Sequence, residues 1–123
     1  MLLLEGLRAK PALGANKPYN PFVPKSVAIL GSTGSIGTST LEVAEALPNE
    51  IRVAGLVAHK QWESLLEQCR KFRPPVAVLT DREAFQQAQA QDIPKGTELK
   101  FGEDAICELV QSQDVDIVVS AVV

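Results

Sequence analysis

One histidine and two cysteines are all the soft metal ligands in these 123 residues. A closed zinc site takes roughly four ligands. His59 stands alone, and Cys69 and Cys107 show neither CxxC nor Cys/His spacing, so the sequence gives no sign of a metal centre built on these residues or of a disulfide framework. The two cysteines are expected to be reduced packing residues inside helical segments. Long apolar runs are also missing: none approaches the roughly 20 residues that cross a bilayer, which points to a soluble protein. No charge sign dominates. Twelve Lys and Arg face fifteen Asp and Glu, for a net charge of -3, which leaves no electrostatic footprint for nucleic acid. Length allows one domain of modest size and no second one.

Half of the eight prolines crowd into the first 25 residues, at positions 11, 18, 21 and 24. Together with Gly6 and Gly14 they leave no room for a helix or strand of useful length through most of that stretch, so residues 1–24 are expected to be an extended arm. Its basic residues Arg8, Lys10, Lys17 and Lys25 outnumber Glu5, as at the end of a transit peptide. However, no serine precedes position 26, and the apolar run of residues 1–4 is too short for a signal sequence.

From residue 25 to 123 the pattern becomes regular. SVAIL (26–30), IRVAGLVA (51–58), VAVLT (76–80), a short ELKF (98–101) and VDIVVSAVV (115–123) read as strands. Between them SIGTSTLEVAEAL (35–47), QWESLLEQCRKF (61–72), REAFQQAQAQ (82–91) and EDAICELVQS (103–112) read as helices. The first helix is expected to bury Ile36, Thr40, Val43, Ala44 and Leu47, and the second Trp62, Leu65, Leu66, Cys69 and Phe72. The third is polar and expected to lie on the surface. Strands that are apolar throughout and alternate with helices specify an α/β domain, a Rossmann-like doubly wound parallel sheet covered on both faces. With no helix after the last strand, the sheet is expected to be incomplete at its C-terminus.

The chemistry sits in VAILGSTGSIG, residues 27–37. A strand that turns through glycines into a helix presents the helix's first N–H groups and the positive end of its dipole, where a phosphate binds. The usual dinucleotide fingerprint is GxGxxG; here Gly31, Gly34 and Gly37 make GxxGxxG, with Thr33 where the middle glycine would be. Hydroxyls at Ser32, Thr33 and Ser35 are candidates to supplement the main-chain cradle. NAD-binding folds carry a carboxylate at the end of the second strand for the ribose 2′-OH. That strand ends LVAHKQ, with His59, Lys60 and Gln61 and no acid, so the charge favours NADP over NAD. The acidic residues, Glu45, Asp81 and Glu108 among them, fall on helix surfaces or starts and form no acid/base or metal constellation.

The runs ILGSTGSIGTSTLEV, IRVAGLVAHKQ, RKFRPPVAVL and DVDIVVSAVV closely resemble the N-terminal part of the 1-deoxy-D-xylulose 5-phosphate reductoisomerases, over about residues 25–123. The resemblance implies that Thr33, Gly34, Ser35 and Ile36 contact the phosphates of NADPH, with Gly31 and Gly37 shaping the turn. It places His59, Lys60 and Gln61 at the second cofactor segment, where the family usually has a glycine, a basic residue and an asparagine. It further implies a sugar-phosphate substrate, a divalent cation (Mg²⁺ or Mn²⁺), a homodimer, and a location in bacterial cytoplasm or plastid stroma. The family makes 2-C-methyl-D-erythritol 4-phosphate in non-mevalonate isoprenoid precursor synthesis. Its substrate, metal and lid residues lie beyond the stretch matched here, so the chain alone is expected not to catalyse the reaction. Two alternatives remain from the residues themselves: another NADP-linked reductase, such as a semialdehyde dehydrogenase, or a non-catalytic NADPH-binding module.

Overall fold

The computed structural model describes residues 7–9 and 23–121. Most of the expected arm therefore lies outside the described residues. Its described part forms a three-residue strand, β1 (Leu7–Ala9), which the proline count gave no reason to expect. The remaining elements follow the expected order: β2 (Lys25–Leu30), α1 (Ser35–Ala46), β3 (Ile51–Ala58), α2 (Trp62–Phe72), β4 (Val76–Leu79), α3 (Arg82–Gln89), β5 (Glu98–Phe101), α4 (Glu103–Gln111) and β6 (Ile117–Ser120). They build a sheet of order β1-β6-β2-β3-β4-β5, parallel except for β1, which runs antiparallel to β6.

After β1, at one edge, the chain enters the middle of this sheet at β2. It steps outward through β3, β4 and β5, then returns over α4 to lay β6 on the other side of β2. Right-handed crossovers put the helices of the outward run on one face and the returning helix on the other. The core divides accordingly. Val27, Ile29, Leu56 and Leu79 pack with Leu41, Leu65, Leu66 and Ala84 from α1, α2 and α3. Ala28, Ala54, Val57 and Val78 pack with Ala105 and Leu109 from α4. Each central strand thus buries alternate residues on opposite faces, and so carries no polar position in its interior. The return of β6 is clamped at its start: the Ser26 amide donates to Asp116 Oδ2 at 2.9 Å, and the Asp116 amide donates to the Ser26 carbonyl at 2.8 Å.

Four expectations need correction. In α1 the buried residues are Gly37, Leu41 and Ala44, whereas Val43 and Leu47 are each 40% exposed. Two apolar stripes at helical spacing compete in this helix, and the one containing glycine is buried because only there can the helix come close to the preceding turn. An alanine at 37 would set its Cβ 2.2 Å from the Gly31 carbonyl oxygen and 2.6 Å from Ser32 Cα. Second, α3 is not merely surface-lying: Ala84 and Ala88 are buried, small enough to seat it against the sheet, and Asp81 caps it by accepting from the Ala84 amide at 3.0 Å. Third, Cys107 is exposed, on the solvent side of α4, so only Cys69 is a packing residue. Fourth, β6 is shorter than read and mostly half-buried, since only Val119 of its four residues is buried.

Two outcomes are expected. Gly37→Ala should lower stability by about 3 kcal/mol in urea unfolding followed by circular dichroism, because the clash is with backbone that cannot swing aside. Gly34→Ala should cost under about 1 kcal/mol; equal losses would contradict the packing account. Burial pushes the Cys69 thiol up to about 11 from its ordinary value near 9, with the Arg70 charge opposing. A thiol reagent at pH 8 should therefore modify one cysteine per native chain, Cys107, and the second only on unfolding. Because the unfolded chain releases that proton at lower pH than the folded one, this contribution to stability is complete below pH 9 and is lost as pH climbs towards 11. A second native thiol reacting as fast as the first would refute the burial of Cys69.

Candidate functional site

The sheet reverses direction beside β2, and ligands of open parallel sheets bind at the carboxyl ends of the strands at such a point. The glycine turn sits there. Gly31 takes a left-handed φ of 86°, which bends the chain off the end of β2. Its amide and that of Ser32 both donate to the Val57 carbonyl, at 2.8 and 2.9 Å, so the turn is hung on the end of β3. The Gly34 amide closes the turn on the Gly31 carbonyl at 3.3 Å, and the first intrahelical bond runs from the Thr38 amide to the Gly34 carbonyl at 2.9 Å. The Thr38 hydroxyl turns back onto the Gly34 and Ser35 carbonyls.

Gly34 is the N-cap of α1 and no side chain caps it, so the amides of Ser35, Ile36 and Gly37 stand at the open end of the helix. The first turn of α1 contains no acidic residue, whereas α2, α3 and α4 each begin with one or two. The positive end of α1 is thus left uncompensated where the other helices supply their own carboxylates. Gly34 itself is exposed and has an ordinary φ of -81°; a Cβ there would meet nothing closer than the Gly31 carbonyl at 3.6 Å. The fold places no demand for glycine at this position. What a Cβ would occupy is the space in front of the helix.

Of the hydroxyls expected around the turn, Ser35 is exposed and Thr33 half-buried, but Ser32 is wholly buried. The Ser32 side chain belongs to the interior and cannot reach a ligand at the surface. Ile36 is half-buried behind the open end. At the neighbouring strand end His59, Lys60 and Gln61 are all exposed. His59 Nδ1 lies 2.6 Å from the Thr80 hydroxyl and the Asp81 amide donates to the His59 carbonyl at 3.3 Å, so the turn between β4 and α3 steadies this segment. The Trp62 amide bonds the Lys60 carbonyl at 2.8 Å, which starts α2 immediately behind it. The structure therefore brings the two expected segments, 31–37 and 59–61, to one edge of the sheet through the shared end of β3.

A groove between α1 and α2 also opens beside Thr33, but Glu42, Glu45 and Glu67 line it, and Lys71 is already paired with Glu45 at 2.8 Å. An anion is repelled there. Among the described residues no three His, Cys, Asp or Glu side chains gather as a metal site, and no helix is long and apolar enough to cross a membrane. Two contributors escaped the sequence reading. Thr80 and Gln68 touch the segments from elements that follow later in the chain. Gln68 in particular donates to the Ser32 carbonyl at 2.9 Å, and its only sequence signal is a polar residue adjoining the buried Cys69.

Residues 27–123 match the family model described as 1-deoxy-D-xylulose 5-phosphate reductoisomerase. The protein of that name from Nitrosospira multiformis is 42% identical over 101 residues, covering 80% of this chain and 26% of that one. Its counterpart from Proteus mirabilis is 44% identical over 101 residues, covering 80% and 25%. Among solved structures, a DOX-P reductoisomerase in complex with magnesium aligns with a TM-score of 0.67 at 28% identity, over 76% of this chain and 24% of that one. The Zymomonas mobilis 1-deoxy-D-xylulose 5-phosphate reductoisomerase in complex with NADPH aligns at 0.64 and 29%, over 70% and 23%. The chain spans about a quarter of the length of the curated relatives it matches. A reversed parallel sheet with an uncapped glycine turn at its switch point, carried by a sequence that matches from Val27 onward, is the start of that fold, and the chain belongs to the 1-deoxy-D-xylulose 5-phosphate reductoisomerase family.

Proposed function

We propose that this chain is the NADPH-binding portion, residues 25–123, of a reductoisomerase that converts 1-deoxy-D-xylulose 5-phosphate to 2-C-methyl-D-erythritol 4-phosphate. The observation that carries the reading is Gly34, a glycine that neither backbone angle nor packing requires and whose missing Cβ leaves the open end of α1 free for close approach. The pyrophosphate is held there by the amides of Ser35, Ile36 and Gly37, with the Thr33 and Ser35 hydroxyls beside them. Gly31 and Gly37 contribute by letting the turn form and the helix close on it. Lys60 and His59 take the 2′-phosphate of the adenosine ribose, and Gln61 supplies an amide to the same end. No carboxylate stands in segment 59–61 to select a free 2′-OH, which supports NADPH over NADH.

The bound cofactor supplies a hydride; these residues fix its position and leave its chemistry unaltered. For a divalent cation the described residues do not fit, since no set of ligands is gathered among them. Metal and substrate binding are accordingly assigned to parts of the enzyme other than these residues. The chain by itself is expected to bind cofactor without turning substrate over.

Titration of the chain with NADPH and with NADH, followed by nicotinamide fluorescence, tests the reading. NADPH should bind more tightly. Lys60→Ala should weaken NADPH by about tenfold, the value of a charged hydrogen bond, and leave NADH nearly unchanged. Gly34→Val should abolish both while the fold, checked by circular dichroism, persists. Equal affinity for the two cofactors, or a Gly34→Val chain that binds normally, would sink it.

A further inference from the structure

The backbone of Ser32 is held from two sides. Its amide donates to the Val57 carbonyl of β3 at 2.9 Å, and its carbonyl accepts from Gln68 Nε2 of α2 at 2.9 Å, a contact that spans 36 positions of sequence. The second bond has a cost. Gln68 Oε1 and Ser32 Oγ are both buried, and neither has a hydrogen-bond partner among the described residues. A leucine or methionine beside Cys69 would bury its side chain without that penalty. What the amide supplies in return is the donor to the Ser32 carbonyl.

Gln68 lies on the same helix whose N-cap is Gln61, two turns further on. Residues seven apart lie on nearly the same side of an α-helix, separated by a fixed rise of about 10 Å. One rigid element thus begins in the second cofactor segment and reaches back to grip the first.

We infer that Gln68 is a positioning residue of the cofactor site: through its bond to the Ser32 carbonyl, α2 holds the glycine turn at a set separation from segment 59–61. This rests on the reading of those two segments as the sites of the pyrophosphate and the 2′-phosphate. A dinucleotide has to meet both at once. A turn already ordered in the free protein loses less freedom on binding, and so binds the cofactor more tightly than a loose one. The half-satisfied amide is retained because it orders the turn, although it stabilises the chain little. A ligand that meets only segment 59–61 gains nothing from it.

Two variants test the inference. Gln68→Met keeps the length of the side chain and removes the donor; Gln68→Glu keeps its shape and turns an acceptor towards the carbonyl. Amide hydrogen exchange is measured first, without ligand. Exchange at Gly31, Ser32, Gly34 and Thr38, the hydrogen-bonded amides of the turn, should rise about five- to tenfold in both variants, the value of one partly buried hydrogen bond, with the amides of β4 and α3 unchanged. Titration follows: the Kd for NADPH should rise by a similar factor, while 2′-AMP binds as in the parent chain. Unaltered exchange at the turn in Gln68→Met, or faster exchange throughout the domain, would overturn the inference. So would NADPH and 2′-AMP weakening equally, or neither weakening. Failure of the parent chain to bind NADPH would instead remove the reading of the two segments, and the exchange measurement would still decide whether Gln68 orders the turn.

Discussion

The site depends on the distance between one helix and the turn that precedes it. There is no space for even a methyl group between Gly37 and the backbone of Gly31 and Ser32. That contact sets which stripe of α1 is buried, brings the start of the helix directly over the end of β2, and points three free amides at the edge of the sheet. The three glycines of the motif act differently. Gly31 is needed for a backbone angle, Gly37 for close packing, and Gly34 for neither. Only the last is answerable to something outside the fold.

Around this contact the sheet supplies direction. Because β3, β4 and β5 extend to one side of β2 and β6 lies on the other, the helix that follows β2 and the helix that leads into β6 are on opposite faces, and the end of β2 is left open between them. The faces are unequal, with three helices on one and α4 alone among the described residues on the other. Segments 31–37 and 59–61 both belong to the crowded side. This is why α2, which packs next to α1, can serve the turn and the segment at its own start together.

The sequence revealed most where a residue's role was local. Strand limits at 51–58 could be read directly, because a mostly apolar run rich in branched residues and closed by polar ones has few other uses. The glycine turn between β2 and α1 was legible for the same reason. What escaped depended on contacts across the chain. The buried face of α1 was misjudged because apolar spacing alone gives Ile36, Val43 and Leu47 the same weight as Leu41 and Ala44, and the deciding residue is a glycine with no side chain to count. Cys107 looks like Cys69 in sequence, yet the helix turns one outward and the other inward. Gln68 looked like any polar helix residue until its carbonyl partner, half a sheet away in sequence, was in view.

The two-way clamp between Ser26 and Asp116 joins residues 90 positions apart. From β2 to β5 every strand pairs with its immediate successor, so that much can assemble in step with synthesis; β6 cannot, since its place is beside β2, the first strand of that series. Long loop closure of this kind slows folding, because the chain's entropy is lost before the contacts that offset it are formed. Until residue 120 has been made, one edge of β2 has its peptide groups exposed and half the wall of the crevice is absent. The strand that covers the second edge of β2 is thus also the one that determines when, during the life of the nascent chain, this central strand ceases to be open to pairing with a stranger.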